Sequence, residues 1–73
     1  MNHKKNPLKT LLLAHFGSIE KCALDLDVSR NSVSRWIHQN PESIMRHQDR
    51  LLLLGMDIEH LREVVTKMAM EHA

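Results

Sequence analysis

Apolar residues recur along this chain at helical spacing in five successive stretches, most of them opened by a capping residue. Leu8, Leu11, Leu12 and Phe16 share the first face. Asn6 stands before it as an N-cap, Pro7 occupies the first helical position, and Gly17 follows as the stop, which predicts a helix over 7–16. Ser18 caps a second helix over about 19–26, with Cys22, Ala23 and Leu26 on one side. Val28 plugs the short turn that follows. Ser29 caps a third helix over about 30–38, where Val33, Trp36 and Ile37 point the same way. Asn40-Pro41 opens a fourth helix over about 41–54, closed by Gly55, with Ile44, either His47 or Gln48, Leu51 and Leu52 inward. Leu51–Leu54 cannot all face one way, since helical neighbours are about 100° apart. Asp57 caps a fifth helix over about 58–70, striped by Ile58, Leu61, Val64, Val65 and Met68, with Met56 as a staple against Leu61. The pattern predicts a compact all-α domain of five helices. Met70–Ala73 is expected to fray. Residues 1–6, polar and without periodicity, are expected to form a mobile arm that either touches phosphate or is simply solvated.

The second and third stretches are short and joined by a brief turn, so they must cross steeply and hold each other through few apolar residues. That is the helix-turn-helix arrangement, whose second helix enters the DNA major groove. The outward face of the third stretch carries Arg30, Asn31, Ser32, Ser34 and Arg35, with no acid and no large apolar residue.

Three features carry a resemblance to a family. They are HFGS at His15–Ser18, Ala23 six residues after Gly17, and VSRNSVSRW at Val28–Trp36. Together they resemble the Cro repressors of lambdoid phages, particularly the all-helical branch, over about Pro7 to Leu54 and weakly beyond. The resemblance implies that a small residue is needed at Ala23, where two helices nearly touch. It implies apolar roles for Cys22, Leu26, Val28, Val33 and Trp36. It also implies a repressor that covers a promoter, in a phage or an integrated element of a bacterium. The family usually has glycine where this chain has Asp27. Aspartate tolerates the left-handed region, so the same turn can form at some cost; a longer turn is the alternative.

Composition and charge narrow the picture. The chain has 73 residues, enough for one domain, and its 42% apolar content argues against disorder. A core of this size typically supplies only ~3–5 kcal/mol, which favours help from a partner subunit. The longest apolar run, Leu51–Leu54, is too short for a membrane span, and no signal peptide is expected. The single cysteine, on a packed face, suits a reducing cytosol, and its use as a redox switch is not expected. Residues 1–38 hold Lys4, Lys5, Lys9, Lys21, Arg30 and Arg35 against Glu20, Asp25 and Asp27, a net of +3. Residues 39–73 hold four bases against six acids, a net of −2. The first part is fit for a polyanion and the second for another task.

The candidate chemistry is therefore recognition of double-stranded DNA. Arginine pairs with guanine O6 and N7, and asparagine with adenine N6 and N7. Arg30 and Asn31 lie in the first turn of the reading helix, the part that meets base edges. Ser34 and Arg35 follow one turn later, and His38 is placed to meet the backbone. Ser18, Lys21 and the first N–H groups of the second helix are suited to a phosphate, and Ser29 and Ser32 complete the expected contact set. A palindromic operator bound by a homodimer is expected, joined through Leu53, Leu54, Ile58, Leu61, Val64, Val65 and Met68. The stripe among these residues could instead fold onto its own domain. The six histidines form no i,i+3 or i,i+4 pair and no His/Cys set with zinc spacing, and there is no glycine-rich phosphate loop. No enzyme, cofactor, metal or small-molecule ligand is expected. The expected location is the cytoplasm of a bacterial host, on its nucleoid. The alternative from another class is an antirepressor or interaction protein that binds another regulator through its C-terminal helices.

Overall fold

The structure is a computed structural model, and it describes residues 6–71. Helices α1 (Pro7–Phe16), α2 (Ile19–Leu26) and α3 (Arg30–His38) are followed by a 3-10 segment (Pro41–His47), then α4 (Gln48–Leu53) and α5 (Ile58–Glu71). The protein is all-helical, as its periodicity predicts. The expected arm lies outside the described residues except for Asn6, which is anchored. Its Oδ1 accepts from the Lys9 N–H at 3.0 Å, and its Nδ2 donates to the Ile37 carbonyl at 2.7 Å. One side chain thus caps α1 and ties its start to the end of α3.

The three N-terminal helices occupy their expected spans because their end signals are strong. Ser18 and Ser29 each accept from the backbone N–H three residues on, at 3.0 and 3.1 Å. The end of α2 is a Schellman motif. Asp27 sits in the left-handed region at φ 58° and ψ 45°. Its N–H donates to the Leu24 carbonyl at 3.2 Å, and the Val28 N–H donates to Ala23 at 2.9 Å. The shorter turn is the one formed, with an aspartate where glycine would be unstrained. The same motif closes α4, where Gly55 at φ 89° lets the Met56 N–H reach the Leu51 carbonyl at 3.0 Å.

The fourth element departs from expectation. In place of one helix over 41–54, the chain forms a 3-10 segment and then six residues of α-helix. Asn40 makes no side-chain cap bond there. Three residues per turn align Pro41, Ile44 and His47 in one row. The first two are buried and His47 is half-buried, on an element that packs against both α3 and α5. An α-helical register would rotate this row progressively off the contact.

One core holds all the elements together. It runs from Leu8, Leu12 and Phe16 through Cys22, Ala23 and Leu26, then Val33, Trp36 and Ile37, to Ile44, Leu51 and Met56. Helix α5 closes it by lying on α1 and the 3-10 segment. Side-chain bonds pin α4 to three helices: His15 Nε2 bonds the Leu54 carbonyl at 2.9 Å, Arg50 Nε donates to the Asp25 carbonyl at 3.2 Å, and Arg62 donates to the Gln48 side-chain oxygen at 3.4 Å.

This closure corrects the expected partner surface. Leu61, Val65 and Met68 are buried in the chain's own core, and Leu54, Ile58 and Val64 are half-buried against it. The centre of the stripe is therefore spent on α1 and the 3-10 segment, as the folded-back alternative has it. Of the expected interface residues only Leu53 stands clear, 82% exposed. Leu52, expected inward, is 62% exposed, because Leu51 takes the inner position on so short a helix. No helix among the described residues is long and apolar enough to cross a membrane.

Candidate nucleic-acid interface

Helix α3 is anchored on one side and open on the other. Val33, Trp36 and Ile37 are buried, while Arg30, Asn31, Ser34, Arg35 and His38 are exposed. Ser29 and Ser32 are engaged with each other. The Ser29 Oγ accepts from the Ser32 N–H, and the two hydroxyl oxygens lie 3.0 Å apart. Ser32 is half-buried, so it organises the first turn of α3 instead of lying free on its face with Arg30 and Asn31. Ser18 likewise spends its hydroxyl as an acceptor on the start of α2, leaving Lys21 exposed beside it.

The exposed ridge of α3 lies between two concavities. One is lined by Ile19, Ser29, Arg30, Asn31 and Ser34, between the starts of α2 and α3. The other lies between α3 and the 3-10 segment, where Ser32, Arg35, Trp36 and Gln39 face Asn40, Ser43, Arg46 and His47. No carboxylate lines either one. Among the described residues no Lys or Arg side chain pairs with a carboxylate, so Lys21, Arg30, Arg35 and Arg46 stand free of acids. Unpaired guanidinium groups at the rim of an acid-free groove suit an anionic backbone.

The second concavity contains residues that the sequence reading did not place in a site: Gln39, Asn40, Ser43, Arg46 and His47. The sequence carries no signal for them, because it is the 3-10 register of the folded chain that brings Ser43 and Arg46 to α3 together with His47. No shape short of the folded chain places Arg46 opposite Arg35.

Cys22 lies 0% exposed behind this face. Burial, and secondarily the nearby Asp25 charge, push its thiol up from 9.0 to about 11. It is therefore neutral at physiological pH and lacks the thiolate that redox chemistry needs. Among the described residues no group of three His, Cys, Asp or Glu side chains gathers as a metal site. No protein-family model, no curated protein and no solved structure matches this chain.

Proposed function

We propose that this protein is a sequence-specific DNA-binding regulator that reads the major groove with α3. The observation that carries the reading is the acid-free ridge of Arg30, Asn31, Ser34 and Arg35, standing between two grooves on a helix whose other side is core. In this reading α2 and α3 act as a helix-turn-helix. Ser18 and Lys21 bring the start of α2 to one phosphate, and Arg35 and Arg46 hold the backbone on the far side of α3. Repression by covering a promoter follows from the resemblance to the Cro repressors, and with it a bacterial cytoplasmic setting.

One reading helix covers only a few base pairs, and helix-turn-helix proteins commonly double it across half-sites about 34 Å apart. The second chain is proposed to meet the first through Leu52 and Leu53, two adjacent exposed leucines on an element separate from both grooves. The same leucines support the other reading, an antirepressor that holds another regulator.

Selection of binding sites from random DNA, followed by footprinting, separates the two. A two-fold symmetric site supports the regulator, and absence of any selected site defeats it. Within a selected site, Arg30→Ala is expected to cost ~1–3 kcal/mol and relax preference at one base pair. Lys21→Ala is expected to weaken all sequences alike and to lower the salt slope by roughly one. Equal losses on operator and random DNA for Arg30→Ala would remove it from base reading.

A further inference from the structure

The groove between α3 and the 3-10 segment contains a titratable ring held on the chain's single tryptophan. His47 and Trp36 stack with centroids 5.1 Å apart and planes inclined by 41°. Arg35 enters the groove from α3 and Arg46 from the 3-10 segment, with Ser32, Asn40 and Ser43 between them. The acids nearest in sequence, Glu42 and Asp49, are exposed and do not line it. Protonated His47 therefore shares an acid-free groove with two guanidinium groups. An anion seated among them attracts an imidazolium and gives its N–H an acceptor, and the Trp36 face favours a cation. Neutral histidine has no such gain. Binding of an anion and binding of a proton are then linked, each favouring the other.

We propose that this groove seats one phosphodiester group and that His47 takes up a proton as it does so, which makes DNA affinity rise as pH falls through the histidine range. The inference rests on the DNA-binding reading for the identity of the polyanion and on the groove's own geometry for the proton. The sign is fixed by the linkage: the bound state holds the proton more tightly, so affinity is gained below the bound midpoint and lost as pH rises through it.

Trp36 reports on the event directly, because a protonated imidazole stacked on an indole quenches its fluorescence. The full chain is titrated from about pH 8 to about pH 5 alone, with inorganic phosphate, and with duplex DNA at constant ionic strength. The fluorescence midpoint is expected to move up with either anion. DNA affinity is expected to tighten by up to ~10-fold per pH unit, the limit for one proton. His47→Gln, checked for folding by circular dichroism, is expected to flatten that slope, while His60→Gln, exposed on α5 and outside both grooves, is expected to keep it. A midpoint that neither anion moves, or a wild-type slope retained in His47→Gln, overturns the proposal. If phosphate moves the midpoint and DNA does not bind, the groove is an anion site and the DNA reading fails instead.

Discussion

Replacing Leu61 and Val65 together by aspartate is expected to unfold the chain. The two side chains are 0% and 3% exposed on the helix that closes the core over α1 and the 3-10 segment. A carboxylate placed there has no buried cation to meet, since the buried positions among the described residues are all apolar. Each such burial costs on the order of several kcal/mol, and a domain of this size holds only ~3–5 kcal/mol in total. Circular dichroism should therefore show a loss of helix. The paired experiment is Leu52→Asp with Leu53→Asp. Those side chains are in solvent, so stability is expected to change by no more than ~0.5 kcal/mol per site. The effect should fall on assembly: the complex on the best DNA site is expected to hold two wild-type chains by native mass spectrometry and to lose one in this variant. A wild-type complex of one chain, with a footprint lacking two-fold symmetry, would sink the dimer. A folded Leu61/Val65 variant would return α5 to the surface.

Trp36→Ala is the second large effect. The indole is 6% exposed, lies in the core from α3, and is covered on its groove side by His47. Large-to-small replacement of an aromatic at such a site costs ~3–5 kcal/mol, because the cavity left behind closes only in part. That equals the whole reserve of a small domain. The variant is expected to be largely unfolded at room temperature, whatever ligand is present. A well-folded variant that merely loses DNA binding would show that Trp36 belongs to the interface and not to the core.

The legible parts of the chain are those where a local rule has one solution. Asn6-Pro7, Ser18 and Ser29 each mark a helix start, and the hydroxyl or amide makes the bond expected of it. Asp27 was readable as a left-handed residue only through the resemblance, which puts it where glycine is usual; aspartate's tolerance of that region allowed the turn without deciding it. The segment after Asn40 was not readable. Pro41 and Ile44, three residues apart, suit a period of 3.0 or 3.6 about equally over a single turn, and only packing against α3 and α5 decides. That packing selects His47 as the inward residue, while Gln48 is exposed and accepts from Arg62 at 3.4 Å. The stripe on α5 was ambiguous for a different reason. An amphipathic helix has the same sequence whether it covers its own core or a partner's, and the choice depends on how much core the other helices leave open. On α3 the exposed ridge followed from periodicity. Arg46, which comes from another element, did not.

The left-handed aspartate that ends α2 has a genetic consequence. Glycine at position 27 would adopt the same backbone without a Cβ penalty, and it would touch neither the core nor either groove. Asp27→Gly is expected to raise stability by roughly 0.5–1 kcal/mol, the relieved strain less glycine's extra chain entropy, read as a higher melting temperature. In a domain with so small a reserve, that increment restores a sizeable part of what a mild core lesion removes. A search for second-site suppressors of such lesions, anywhere among the helices, should return Asp27→Gly repeatedly and without regard to where the first lesion lies.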